Sequence, residues 1–288
     1  MKIAVASGKG GTGKTMVATS LAASIEHLAP TRIIDCDVEA PNAHLFLKPV
    51  FSENKPAVIR VPEINPSICT LCGDCVRDCE FHALAQLGEK ILVFPQLCHG
   101  CGTCSIVCPV GAIGEVPREI GQMDHGSARE KLDFFMGKLI ISEPMATPII
   151  RQLKKWAAPE LQVVILDSPP GASCSVVATL SDADFVLLVT EPTPFGLHDL
   201  KQMLGVLDQI EAPVAVIINR DGIGDEQVEL FLSQTPYPIL MRIPYDDEIA
   251  IGLAEGRVLA DFKPDYQKDF IRIYEFILEA TEKDRVSQ

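Results

Sequence analysis

The stretch "SGKGGTGKT", residues 7–15, decides how the first part of this chain folds. Gly8-Lys9-Gly10-Gly11-Thr12-Gly13-Lys14-Thr15 matches the pattern G-x-x-x-x-G-K-S/T. Glycines at these places let successive backbone N–H groups turn toward phosphate oxygens; Lys14 is placed to reach the β- and γ-phosphates, and the Thr15 hydroxyl suits Mg²⁺. The surroundings agree. Lys2 to Ala6 reads as a short buried strand, and Met16 to Leu28 as a helix rich in Ala and Leu whose positive end faces the same phosphates. Thr31 to Ile34 reads as a second strand running into Asp35-Cys36-Asp37. Strand, helix and strand at this spacing make a parallel α/β unit.

The pattern breaks near Pro56 and returns after Pro117. Between them lie "CTLCGDCVRDCEFHA", residues 69–83, and a near copy, "CHGCGTCSIVCPVGA", residues 98–112. Each cysteine of the first set recurs 29 positions later: Cys69 and Cys98, Cys72 and Cys101, Cys75 and Cys104, Cys79 and Cys108. The alternating α/β character then resumes. Val163 to Leu166 is a strand that ends at Asp167, Phe185 to Val189 and Val214 to Ile218 are two more, and Leu197 to Ile210 fits a helix between them. A last amphipathic helix, about Asp265 to Glu282, places Phe270, Ile273, Ile277 and Leu278 on one face. Its polar face mixes Asp269, Glu275 and Glu279 with Lys268 and Arg272, so core packing is expected rather than a membrane anchor.

The "KGGTGKT" form of the loop, with its early Lys9, resembles the deviant phosphate-binding loop of the MinD, ParA and Mrp ATPases. The resemblance implies that Lys9 reaches across a dimer to the nucleotide of the other subunit. It implies that Asp35 and Asp37 form switch I, with Asp37 orienting the attacking water and Asp35 near the magnesium shell. Asn42 falls where the MinD type carries a switch asparagine. Asp167, in "VVILDSPPG", takes the place of the aspartate that holds Mg²⁺ through water, and Gly171 that of the switch II glycine near the γ-phosphate. Asn219-Arg220 and Pro244 resemble the adenine-binding segments, although ordinary strand-end turns have the same composition.

C-x-x-C-x-x-C-x-x-x-C given twice is the spacing of bacterial two-cluster ferredoxins. There three cysteines of one set join the fourth of the other. Carried over, Cys69, Cys72, Cys75 and Cys108 hold one [4Fe–4S] cluster, and Cys98, Cys101, Cys104 and Cys79 the second. Zinc is the competing reading, but it leaves the middle cysteines redundant and the duplication unexplained. One departure stands out: Cys108 precedes Pro109, as the ferredoxin pattern asks, whereas Cys79 precedes Glu80, which is expected to alter the turn and lower the nearer potential. Cys36 reads as a small core residue. Cys174, seven residues past Asp167, has the offset of a cluster-ligating cysteine in the nitrogenase iron protein, but it lacks a second cysteine to work with.

The expected fold is therefore α/β: a MinD-like P-loop NTPase with a mostly parallel sheet and an inserted small α+β ferredoxin domain. The expected division is 1–58 with 118–288 for the ATPase and 59–117 for the insert. Ten cysteines and no visible leader before the first strand point to a cytoplasmic protein that ligates metal rather than forming disulfides. A formal net charge of -14 argues against nucleic acid and anionic membrane as partners, and no stretch is long enough for stable membrane insertion. The expected cofactors are ATP or ADP, Mg²⁺ and two [4Fe–4S] clusters. The expected partners are a second copy or a paralogue in a nucleotide-dependent dimer, and a redox or iron–sulfur client. The first functional expectation is an ATPase whose nucleotide state gates electron transfer or docking; the alternative is an iron–sulfur carrier of the Mrp type, and a positioning ATPase like MinD or ParA comes third.

Overall fold

The computed structural model describes residues 1–158, 163–210 and 212–287. In chain order the elements are β1 (Lys2–Ala6), α1 (Lys14–Ile25), β2 (Thr31–Asp35), α2 (Ala43–Leu47), β3 (Val50–Ile64), α3 (Asp74–Arg77), β4 (Leu84–Leu87) and β5 (Lys90–Val93). They continue with α4 (Thr103–Ile106), β6 (Ile113–Arg129), β7 (Leu132–Leu139), α5 (Thr147–Trp156), β8 (Val163–Asp167), α6 (Cys174–Leu180) and β9 (Phe185–Thr190). The last are α7 (Pro194–Leu207), β10 (Val214–Asp221), α8 (Gln227–Leu232), β11 (Ile239–Pro244), α9 (Asp247–Ala254), α10 (Leu259–Phe262) and α11 (Pro264–Ser287).

Among the described residues nine strands form one sheet in the order β11-β10-β9-β1-β8-β2-β7-β6-β3. The pairings from β11 to β7 are parallel; β7–β6 and β6–β3 are antiparallel. The sheet is thus mostly parallel, as expected. Its interior strands are buried on both faces, which explains their unbroken apolar runs. Along β1, Ile3 and Val5 face a core shared with α1 and α11, while Ala4 and Ala6 face a core shared with α5, α6 and α7. β1 lies between β8 and β9, where the chain order reverses, so the loop after β1 opens onto the crevice at the strands' carboxyl ends.

Two local expectations shift. The first helix begins at Lys14 rather than Met16 and ends at Ile25: Gly13, at φ 93°, makes the break from loop to helix inside the motif. On α11 the buried set is Phe270, Ile273, Tyr274 and Ile277, and Leu278 is 37% exposed. Positions i, i+3, i+4 and i+7 share one face of a helix, and i+8 has turned away from it.

The cysteine-rich segment leaves the sheet as a two-stranded ribbon. β7 ends at Leu139, opposite Gly121, and a bulge falls at Ala57/Val58. Gln152 of α5 braces the bulge by accepting from Val58 N at 3.1 Å and donating to Val58 O at 2.9 Å. Beyond it β3 and β6 stay paired to Ile64 and Ile113. The breaks expected at 58/59 and 117/118 therefore fall inside continuous strands, with no linker. Between the ribbon ends lie α3, the β4–β5 hairpin and α4.

Candidate functional site

The loop after β1 and the carboxyl ends of β2, β8 and β10 enclose a cavity of about 620 Å³. Gly10, Gly11, Thr12, Gly13, Lys14, Thr15, Asp37, Asn42, Asn219, Arg220 and Pro244 line it. Gly8 stands behind the loop, where a Cβ would come within 2.5 Å of Asp199 Cβ on α7. Gly171, at φ 89°, donates its N–H to Ser7 O at 3.0 Å, tying the turn after β8 to the loop.

Two aspartates lie under the loop with no exposure. Lys14 Nζ is 3.3 Å from Asp167 Oδ1. Asp167 Oδ2 is buried and finds no hydrogen-bond partner among the described residues. Such an oxygen suits water-mediated Mg²⁺, and the Thr15 hydroxyl opens on the same cavity. Asp35 accepts N–H groups from Asp37 at 3.1 Å, Asn42 at 2.9 Å and Ala43 at 3.0 Å. Its carboxylate thus organises the turn that carries Asp37. Burial, and then the charge of Asp167, push Asp35 up to about 8. Burial also raises Asp37, against the opposing pull of Lys14.

Lys9 does not point into the cavity. It pairs with Glu191 at 3.0 Å, and Arg220 pairs with the same carboxylate at 2.7 Å. Asn219 Nδ2 donates to Thr12 O at 2.8 Å, so this residue braces the phosphate loop as well as bordering the cavity. Glu191 escaped the reading from sequence. Its signal was an apolar strand, β9, running directly into an acidic residue.

The eight repeat cysteines surround two separate cavities. Cys69, Cys72, Cys75 and Cys108 line one; Cys79, Cys98, Cys101 and Cys104 line the other. The fourth cysteine of each set therefore crosses to the other. Among the described residues no three His, Cys, Asp or Glu side chains converge as a single metal ion requires. Each quartet encloses a space instead, and an all-thiol donor set around a space suits an iron–sulfur cluster better than zinc.

The sequence repeat is also a backbone repeat. Leu71 and Gly100 lie at φ 58° and 66°, Gly73 and Gly102 at 81° and 75°, His82 and Gly111 at 51° and 61°. Ala83 N donates to Cys79 Sγ at 3.3 Å and Ala112 N to Cys108 Sγ at 3.2 Å. Glu80 in place of a proline consequently leaves the turn unaltered, contrary to expectation. Cys36 is fully buried and its thiol is pushed up by desolvation. Cys174 is exposed at the start of α6, away from both quartets.

A profile described as the CobQ/CobB/MinD/ParA nucleotide binding domain matches residues 3–259. The chain belongs to this family of α/β P-loop proteins. An uncharacterized protein of Methanocaldococcus jannaschii is 31% identical over 89% of this chain and 90% of its own length. An iron–sulfur cluster carrier protein of Methanococcus maripaludis is 22% identical over 98% of this chain and 86% of its own. An uncharacterized ferredoxin of M. jannaschii matches 19% of this chain, at 37% identity, and 92% of itself. Among solved structures, the septum site-determining protein MinD of Pyrococcus horikoshii, complexed with Mg-ADP, superposes with a TM-score of 0.58 at 18% identity, covering 96% of this chain and 95% of that one. Among the described residues no helix is long and apolar enough to cross a membrane.

Proposed function

We propose that this protein is an ATP-hydrolysing switch carrying two [4Fe–4S] clusters, with the nucleotide state controlling how the clusters meet a redox partner. The observation that carries the reading is the crossed grouping of the cysteines on a ribbon continuous with the sheet that holds the phosphate loop. The short match to a whole ferredoxin supports reading 59–117 as an inserted domain.

In this reading Lys14 and the loop N–H groups bind the phosphates of ATP. Thr15 and, through water, Asp167 would hold Mg²⁺, with Asp35 behind them. Asp37 orients water for attack on the γ-phosphorus, giving ADP and phosphate, and Gly171 senses whether that phosphate is present. Asn219, Arg220 and Pro244 border the base. Lys9 serves the nucleotide of a second copy or a paralogue, so ATP closes a dimer. When bound, a [4Fe–4S] cluster supplies one-electron storage at low potential. Cys69, Cys72, Cys75 and Cys108 would hold one, and Cys79, Cys98, Cys101 and Cys104 the other.

Switch I has a short physical route to the ribbon. Val38, next to Asp37, accepts from Leu139 N at 2.8 Å, and the following Ile140 donates to Ile120 O on β6 at 3.0 Å. β6 then runs outward to Ile113, one residue from Ala112, whose N–H meets Cys108 Sγ. Movement of Asp37 is thereby delivered to the strand that supports the cysteines.

The test is anaerobic reconstitution followed by measurement of iron, sulfide and the reduced-state electron paramagnetic resonance spectrum in nucleotide-free, ADP and ATP samples. The reading expects two clusters and a nucleotide-dependent change in potential or oxidation rate. Identical behaviour in all three samples overturns it. The similarity to a carrier protein favours a second reading, in which clusters themselves are handed on. Transfer of iron to an apo-acceptor, with loss of colour from this protein, selects that reading.

A further inference from the structure

Glu191 follows β9 and is nearly inaccessible, with its side chain 4% exposed. Its oxygens are divided between two chain segments: Oε2 meets Lys9 Nζ and Oε1 meets Arg220 Nη1. The two cations are far more open, at 35% and 47%. The carboxylate is therefore the fixed member of the trio and the cations are the mobile ones.

The backbone around Glu191 is clamped. Its carbonyl accepts from Thr193 N at 2.8 Å, and Pro192 O accepts from Asp225 N at 3.0 Å. A Cβ on Gly196 would come within 2.1 Å of Glu191 O, so α7 starts hard against this turn. The backbone of Lys9 is held as well, its carbonyl accepting from Ser7 Oγ at 2.8 Å. What remains free to move is the Lys9 side chain.

We infer that Glu191 is a positioning residue that holds Lys9 against its own chain and sets how readily the lysine is presented to a second copy. This rests on the paired-chain reading given above. Stripping a buried carboxylate of its only cation is strongly unfavourable. Arg220 removes that obstacle, because it keeps Glu191 partnered when Lys9 leaves. Glu191 alone would lock the lysine in place; Glu191 shared with Arg220 makes a latch that opens.

The experiment measures the acetylation rate of Lys9 by mass spectrometry in nucleotide-free protein, with the buried Lys14 as internal reference. Glu191→Gln is isosteric and is expected to raise the Lys9 rate about three- to fivefold, the change in population that goes with losing one partly exposed ion pair. Arg220→Gln leaves Lys9 as the sole partner and is expected to lower the rate about twofold. A general loosening of the fold would raise both rates and the Lys14 rate with them, which overturns the inference. So does an unchanged Lys9 rate in Glu191→Gln. Sedimentation with ATP supplies the second readout: Glu191→Gln should dimerise about threefold more tightly than the native chain. If the labelling shifts as expected but neither protein dimerises, the latch stands and the paired-chain reading falls. If the native chain dimerises and Glu191→Gln does so no more tightly, the latch falls alone.

Discussion

Replacing Lys14 by methionine tests the electrostatics of the phosphate site without any ligand. The Lys14 side chain is 8% exposed and that of Asp167 is 0% exposed, so the contact belongs with buried ion pairs. Removing one partner of such a pair costs about 3–5 kcal/mol, against about 0.2–1 kcal/mol for an exposed one. Lys14 also opposes the upward push on Asp35, so its loss raises that carboxyl further. A carboxyl whose folded value lies above its unfolded value binds more protons in the folded state, and stability is lost as pH rises through the interval between them. For Asp35 that interval runs from the ordinary value of 3.8 to about 8 in the native chain and extends higher in the variant, so the pH profiles of the two proteins part company only above about pH 8. Lys14→Met should therefore lose about 3 kcal/mol or more near pH 7, and more again near pH 9, by up to about 1.4 kcal/mol per pH unit for the one proton. Urea unfolding without nucleotide, followed by the emission of Trp156, the single tryptophan, measures both points. A loss that does not grow from pH 7 to pH 9, or that is below about 1 kcal/mol near pH 7, refutes the buried-pair argument.

Three further outcomes are expected. Cys108→Ser should remove the same spectroscopic centre as Cys69→Ser, and Cys79→Ser the same centre as Cys98→Ser; a Cys79→Ser spectrum matching that of Cys69→Ser contradicts the crossed grouping. Gly121→Ala should lower stability by about 1–3 kcal/mol, because its Cβ would lie 2.4 Å from Ile149 Cδ1 and 2.5 Å from Lys138 O; an unchanged unfolding midpoint counts against the packing described for α5. Asp37→Ala should reduce ATP hydrolysis about 100-fold while a fluorescent ATP analogue binds within about threefold of native, if, as proposed, Asp37 orients water rather than anchoring phosphate; loss of binding instead makes Asp37 part of the nucleotide cradle.

Much of this was legible in the sequence because it depends on short range. The loop from Gly8 to Thr15 carries its own conformation in its glycines, and the apolar strands that flank it must be buried wherever they go. The repeat of 29 residues was equally plain, and it is matched by the backbone angles at Leu71 and Gly100. What was hidden depends on tertiary placement. Nothing local to "VTEPTP" says that Glu191 meets Lys9 and Arg220, residues far apart in the chain that only the sheet order brings together. The ribbon was hidden for a different reason. β3 leads into it through an exposed stretch of polar residues and a proline, a composition that reads as the end of structure, while its pairing with β6 is what keeps it extended. Pro56 and Pro117 mark no break, because both sit within that pairing.

The two thiol-lined chambers are not equivalent in position. Arg60 and Pro62, just past the bulge, border the chamber of Cys98, whereas Ile64 and Ile113, at the ribbon's tip, border that of Cys69. Two to four residues of strand separate these levels, roughly 7–13 Å. The pair is thus stacked along one axis, an inner station against the body of the protein and an outer one toward solvent. On the reading proposed above, a partner docking at the tip would meet the outer station first, and transfer to the inner one would run toward the sheet edge that Leu139 ties to Val38, next to Asp37. The architecture has a direction built into it, from the ribbon's tip to the sheet edge.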